Sequence, residues 1–493
     1  MVKKNPNNSR NKKHLIAVNK TKKYDAVIVG SGPNGLAAGI VLAQKGKKVK
    51  IIEGSDSVGG GARTKFLTLP EYKHDVCSAI HPMALASPFF ASLPLHQYGL
   101  KWITPPFPVA HPLDDLPAVI MDLDIHKTAN GLGIDGDAYL KLFKPIIKDF
   151  NALLPDLLGP FNPVPKNPLK VAKFGLNAIR SAESLINSKF KEKQSRALLA
   201  GLAAHSIQPL DNIATSAITL ILGAAGHVVG WPLPEGGSQA LSNALADHFT
   251  FLGGEIETGN MVTSVEQLTD ATTVLFDITP KQILAIAESK IPDFYVKKLK
   301  RYRYGPGIFK LDIALDGPIP WKDENCKKAG TVHIGGTFEE IAQAERQVFE
   351  GKHCEKPFVL LAQQSLFDQT RAPNGKHTVW AYCHVPNGST RDMTQPIEDQ
   401  IERFAPGFKD LILFRKKMNS VEMQAYNPNY IGGDINGGIQ DLRQLFTRPA
   451  NLFDPYRIPD TSFFICSSSS PPGGGVHGMC GYHAAQAVLK YLG

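Results

Sequence analysis

Close cysteine pairs are missing from this chain. Its six cysteines, Cys77, Cys326, Cys354, Cys383, Cys466 and Cys480, are scattered along 493 residues with no Cys-x-x-Cys among them. That excludes a redox-active dithiol and a cysteine-ligated zinc, and it suits a reducing compartment. Histidines and carboxylates show no metal-ligand spacing, so no metal is expected. No internal repeat of solenoid length is present. The uncharged stretch 212–234 is long enough to span a bilayer, but Asn212, Thr215, Ser216, Thr219, His227 and three glycines interrupt it. It reads as a buried helix followed by a turn. Acidic residues are absent from positions 1–24, which hold eight lysines and arginines and thus eight of the nine formal positive charges. The remaining body is nearly neutral, which argues against nucleic acid as a partner. The opening segment has no apolar h-region, so it is not read as a secretory signal. A disordered basic tail over 1–23 is expected, with a mitochondrial presequence as the alternative.

What is present is ordinary globular material: 43% hydrophobic and 20% charged residues, with mean hydropathy −0.13. Order is therefore expected everywhere but the ends. The β-branched run Tyr24–Val29 predicts a buried strand. Gly30-Ser31-Gly32-Pro33-Asn34-Gly35 follows it and opens a helix that Gly46 ends, and 49–53 returns as a second strand. This is a βαβ unit carrying Gly-x-Gly-x-x-Gly, with Glu53 at the end of its second strand. In such a unit the first glycine permits the tight turn and the second lets the backbone approach a pyrophosphate. The third lets helix and strand pack closely, while the helix N-terminus offers free N–H groups and a positive dipole. Glu53 would accept hydrogen bonds from ribose hydroxyls and repel a 2′-phosphate. A dinucleotide site is expected here. Downstream, Gly59-Gly60-Gly61-Ala62-Arg63 would bring more amides and one guanidinium to the pyrophosphate, which fits a cofactor that stays bound.

Farther along, a proline-rich stretch from about 104 to 120 reads as a boundary, and 137–230 reads mainly as helix. Another helix is expected over 239–252, with short strands near 255–267 and 273–278. Strand-like runs recur at 308–315 and 357–364. A last strand at 462–466 leads through Pro471-Pro-Gly-Gly-Gly-Val-His-Gly478 into an alanine-rich helix at about 480–491.

Gly30-x-Gly-x-x-Gly35, Glu53 and Gly59-Gly60-x-x-Arg63 resemble the flavin amine oxidase and phytoene desaturase superfamily. Ser470–Gly478 with Gly481-Tyr-His-Ala-Ala485 is similar to the phytoene desaturase-related carotenoid and retinoid oxidoreductases. Asp75–Pro82 and Pro232–Gln239 resemble its branch named pyridine nucleotide-disulphide oxidoreductase domain-containing protein 2. The resemblance covers nearly the whole chain after the tail. It implies an α/β fold in which a Rossmann-like FAD-binding domain of the glutathione reductase 2 or amine oxidase type is interleaved with an α+β substrate domain. The FAD-binding parts are placed at 24–110, 230–295 and 446–493. The substrate parts are placed at 111–229, mainly helical, and 296–445, a sheet with helices. The implied cofactor is FAD. Backbone N–H groups of Val476, His477 and Gly478 would face the flavin ring, and Val262 would bind the adenine through its backbone. A helix N-terminus aimed at the ring would stabilise the reduced anion.

The implied activity is dehydrogenation or desaturation of a hydrophobic, isoprenoid or lipid-like small molecule by hydride transfer to the flavin. Two alternatives stand beside it: an amine-oxidase-like enzyme using oxygen, and a flavoprotein whose role is mainly regulatory. The branch's name does not transfer as an activity, because this chain has neither the dithiol nor a second dinucleotide fingerprint. For catalysis the candidates are Lys310 and His477. Lys310 lies where amine oxidases carry a lysine linked to the flavin through water; a solvated strand lysine is the other reading. His477 would supply a proton or charge beside the ring, or serve only through its backbone. His81, His205 and His227 read as isolated packing or surface residues. Residues 166–196 hold eight basic and two acidic residues among Leu, Phe and Ile. They suit a helix lying on an anionic membrane surface or, alternatively, a solvated helical face. The cytoplasm is the expected compartment, with peripheral membrane attachment or the mitochondrial matrix as alternatives. The oligomeric state stays open.

Overall fold

A computed structural model describes residues 22–445 and 447–493. The expectation of a disordered tail or presequence falls almost entirely on residues 1–21, which lie outside the described residues.

The βαβ reading holds in detail. Strand β1 (Tyr24–Val29) is buried along almost its whole length, helix α1 (Pro33–Gln44) follows, and strand β2 (Val49–Ile52) pairs parallel with β1. Pro33 sits at the first helical position, where the missing N–H costs nothing. Every residue of α1 from Asn34 to Ala43 is buried. A helix apolar all round needs cover on every side. The sheet lies on one side of α1, and the helices Ser238–Phe251 and Met479–Leu492 lie on others.

Two sheets organise the molecule. The first is wholly parallel, in the order Phe463–Ile465, Ala271–Phe276, β1, β2, Glu255–Glu257. Its strands come from the beginning, middle and end of the sequence, so the Rossmann-like unit cannot close until distant segments meet. The second sheet has seven strands. Its order is Ile412–Met418, Gly307–Leu315, His377–Val385, Val359–Ala362, Ala329–Ile334, Phe107–His111, Val119–Met121. Neighbours are antiparallel except Ala329–Ile334 with Phe107–His111. Gly307–Leu315 is buried at all nine positions. The outer strand Ile412–Met418 exposes Arg415, Lys416 and Lys417, and such charges keep an unpaired edge from recruiting other strands. The chain is thus an α/β protein with a Rossmann-like domain interleaved with an α+β one.

Two local readings change. The proline-rich 104–120 stretch holds two strands of the second sheet, Phe107–His111 and Val119–Met121, and the first of them runs across the boundary expected at 110. Residues 166–196 do not form one surface helix. They divide into Pro168–Ala178, Ala182–Lys189 and the start of Lys193–Ala204. The break after the first helix is set by Ser181, whose hydroxyl accepts the Ser184 N–H at 3.1 Å and caps the second helix. The uncharged 212–234 stretch becomes the helix Thr215–Val228 followed by a turn at Gly230. No helix of the described residues is long and apolar enough to cross a membrane.

Candidate functional site

The third fingerprint glycine shows why this turn has its sequence. A Cβ on Gly35 would lie 2.3 Å from the Gly30 carbonyl oxygen, so helix and turn can meet only without a side chain there. Above the turn lies a second loop. The Gly59 N–H donates to the Ser31 carbonyl at 3.0 Å, and a Cβ on Gly60 would touch the Gly32 Cα at 3.0 Å. Glu53 is buried at the edge of this cradle. Its Oε2 accepts from the Ser31 N–H at 2.9 Å and the Ser31 hydroxyl at 2.6 Å; its Oε1 accepts from the Ser55 N–H at 2.9 Å and lies 3.1 Å from Arg63 Nη2. The carboxylate is therefore fixed in place. A ribose hydroxyl would compete with the rotatable Ser31 hydroxyl for Oε2. Arg63 also donates through Nε and Nη2 to the Ser57 carbonyl, at 3.1 and 2.7 Å. Its guanidinium thus holds the second loop to Glu53, and the part that still lines the cavity is what remains for an anion.

One cavity of about 410 Å³ unites these groups with the far end of the chain. Gly30, Ser31, Gly32, Pro33, Asn34, Glu53, Gly60 and Arg63 line it, as do Val262 and Val476. Gly59, His477 and Gly478 are not among its lining residues. The approach of the C-terminal segment is intimate: a Cβ on Gly481 would fall 1.8 Å from the Asn34 carbonyl oxygen, so the last helix rests directly on the start of α1. The two sequence motifs at 75–82 and 232–239 also meet. His81 Nε2 and the Ser238 hydroxyl are 2.8 Å apart, the Ser238 hydroxyl donates to the Ser78 carbonyl at 2.7 Å, and the His81 N–H donates to the Pro232 carbonyl at 2.8 Å.

The two catalytic candidates, Lys310 and His477, are both buried. Lys310 is fully buried, does not line the cavity, and forms an ion pair with Asp312 on the same strand. Burial pushes the Asp312 carboxyl up to about 6 against the pull of that lysine. The other Asp312 oxygen lies 3.5 Å from His74 Nδ1. A lysine engaged this way braces the sheet and does not present its ammonium to a cofactor. The ammonium of Lys310 is thus engaged by Asp312, and the alternative of a solvated strand lysine does not fit this fully buried side chain. His477 Nδ1 accepts the Met479 N–H at 3.0 Å, and its carbonyl accepts the Ser87 hydroxyl at 2.6 Å. Burial lowers its pKa to about 4, so the ring is a neutral cap on the last helix. The backbone reading of His477 is the one this geometry favours.

Two features escaped the sequence reading. Asp277, just beyond the strand Ala271–Phe276, accepts the Gly35 N–H at 2.9 Å through Oδ2, and a Cβ on Gly32 would lie 2.6 Å from the same oxygen. It occupies the N-terminus of α1, where a phosphate is expected. Burial, with the nearby Glu53 charge, raises its pKa well above the usual carboxylate range. The second feature is a pair of histidines: His205 lines the same cavity, and its Nε2 lies 3.0 Å from the Nε2 of the buried His333.

Comparison with known proteins agrees with this anatomy. A family model described as an NAD(P)-binding Rossmann-like domain matches residues 28–91. The chain is 25% identical to pyridine nucleotide-disulfide oxidoreductase domain-containing protein 2 of Mus musculus, over 95% of this chain and 94% of that protein. It is 24% identical to a limonene dehydrogenase polypeptide of Castellaniella defragrans, over 97% and 96% respectively. A solved structure of wild-type putrescine oxidase bound to putrescine superposes with a TM-score of 0.59 at 15% identity, over 95% of this chain and 99% of that one. The chain carries a Rossmann-like dinucleotide-binding domain and is similar along its length to oxidoreductases. All six cysteines are buried and unpaired, so nothing here corresponds to the disulfide in the relative's name.

Proposed function

We propose that the protein is an FAD-dependent dehydrogenase acting on a hydrophobic, isoprenoid or lipid-like small molecule. One observation carries the reading: a single cavity is lined both by the βαβ turn and by Gly475 and Val476, ahead of the last helix. An NAD-type half-site needs only the turn. A wall supplied from 445 residues farther along the chain suits a longer molecule with a second functional end. Bound FAD would supply the two-electron acceptor. The protein's own share is to hold the diphosphate on the α1 amides, the ribose on Glu53 and the adenine near Val262, and to keep water from the reacting end. Beyond the nucleotide the wall is apolar, with Leu222, Trp231, Ile308, Leu360 and Trp380, which favours a hydrophobic substrate. The relative named for limonene, a hydrocarbon, points the same way. An amine-oxidase-type reaction receives less support. Among the described residues the only carboxylates lining the cavity, Glu53 and Asp277, sit at the nucleotide end and leave no partner for a substrate ammonium.

The test is the visible spectrum of the purified protein and its equilibrium dialysis against FAD. Flavin bands and about one FAD per chain are expected; a colourless protein that takes up no FAD would end the proposal.

A membrane surface is the proposed source of such a substrate. Val164, Leu169 and Leu176 are 75%, 86% and 75% exposed, and Lys166, Lys170 and Lys173 lie among them. Exposed apolar side chains interleaved with lysines suit an anionic bilayer. Co-sedimentation with phosphatidylserine vesicles, lost in Leu169→Asp with Leu176→Asp, is the expected result. Equal co-sedimentation of the wild type and the double variant would refute it.

A further inference from the structure

Among the apolar residues Leu222, Trp231 and Leu360 of the cavity wall stand polar groups, His205 and Thr331, that an apolar chamber does not need. His205 caps the C-terminus of the helix Lys193–Ala204, which packs on the strands Phe107–His111, Val119–Met121 and Ala329–Ile334. Its ring is held edge-on by Trp231, with centroids 5.3 Å apart at 88°. Its Nε2 meets His333 Nε2 at 3.0 Å, which leaves Nδ1 for whatever the cavity holds. His333 is fully buried on the strand Ala329–Ile334, and its Nδ1 has no partner. Two positions earlier, on the same face of that strand, Thr331 lines the cavity at 2% exposure, and its hydroxyl has no partner either. His333 Nδ1 faces Gly201 and not the cavity, so the orphan within a ligand's reach is the Thr331 hydroxyl. A buried polar atom without a partner is costly, and a ligand that supplies the missing bond accounts for it.

We propose that this corner binds and deprotonates a hydroxyl group, so that the substrate is an apolar alcohol oxidised to a carbonyl compound. A hydrocarbon would leave the Thr331 hydroxyl and the His205 ring unmatched. An amine cation would find two imidazoles and no carboxylate. A neutral hydroxyl satisfies both residues, since Thr331 can donate to its oxygen while His205 Nδ1 accepts its proton. Burial beside His384 lowers the His205 pKa to about 3, which keeps the ring neutral and its lone pair free at neutral pH. The imidazolium formed on proton uptake would donate from Nε2 to His333 and lie at the negative end of a helix, both of which favour the new charge. The balance is complete. The O–H bond breaks and its proton goes to His205. The C–H bond breaks and its hydrogen leaves with the electron pair as hydride, to the oxidised flavin of the proposal above, on which this inference rests. The C=O bond forms. His205 is the catalytic residue and His333 a positioning residue.

Anaerobic stopped-flow mixing with decanol, decane and decylamine tests it. Decanol should bleach the flavin, and the other two should not. His205→Asn should slow bleaching by about a hundredfold with an unchanged flavin spectrum. His333→Gln should lower the bleaching rate while leaving decanol affinity in place, a split that general loosening of the fold would not produce. Decanol titration followed by tryptophan fluorescence should show about tenfold weaker binding in Thr331→Val, recovered in Thr331→Ser, with decane affinity unchanged in both. Bleaching by decylamine or decane but not decanol, or a wild-type rate in His205→Asn, overturns the proposal. A protein that takes up no FAD overturns the flavin reading alone. The decanol titration on that flavin-free protein then decides this one, and equal affinity of wild type and Thr331→Val refutes it.

Discussion

Glu53 and Asp277 are two carboxylates at one turn with opposite tasks. Glu53 is held by Ser31, Ser55 and Arg63. Its charge is what an adenosine ribose needs as acceptor. Glu53→Gln should weaken FAD binding by roughly tenfold, the loss of a charge-assisted hydrogen bond, measured by dialysis of the stripped protein. Unchanged affinity would remove Glu53 from the ribose site. Asp277 reaches the amides that a diphosphate must use. With its pKa raised, it is neutral at low pH and ionises as pH climbs through that raised value. The ionised form repels a diphosphate, so FAD affinity should fall as pH rises. Asp277→Asn should bind FAD with a flat profile, and a variant that keeps the wild-type slope would clear Asp277 of this effect.

Packing of elements explains what could be read in advance and what could not. The βαβ unit was legible because a buried parallel strand is a short β-branched run and its turn demands glycines at fixed places. The last helix was legible from its alanines. The strand Phe107–His111 was hidden by prolines at 105, 106, 108 and 112, which advertise a linker in one dimension but suit strand ends and short strands in three. Ile412–Met418 was hidden by Arg415, Lys416 and Lys417, whose charges belong to an outer strand. His205 was dismissed as isolated because its partner His333 is 128 residues away, and only the stacking of one helix on one sheet joins them. The partner of Lys310 was missed for a related reason: Asp312 is two residues away on the same strand face, a period that the pattern Lys-Leu-Asp already contained. Helix-to-helix contact also carries a prediction. Gly481→Ala should push the last helix off α1, costing about 1–3 kcal/mol as an overpacked contact. Urea denaturation should show it, with FAD retention falling in parallel; full stability would mean that this contact gives easily.

At the scale of the whole molecule, many histidines are buried in neutral form. Desolvation lowers His74 and His205 to about 3, and His81, His111, His477 and His483 to about 4. Their folded values lie below the unfolded one near 6.5, so the unfolded chain binds more protons in between. Stability is then complete above about pH 6.5 and falls as pH drops toward 4, by about 1 kcal/mol per pH unit for each such group. Asp312, raised to about 6, opposes the trend with the weight of one group. Urea midpoints should drop steeply between pH 6 and 4.5; a flat profile would mean that these rings find protons inside the fold. The seat of the last helix on Asn34 has a further consequence, in time. Translation at about 5–20 residues per second separates Gly30 from Gly475 by roughly 20–90 s. For that interval the nascent turn has its floor and no roof. Cofactor capture is therefore a step that follows synthesis of the C-terminal segment.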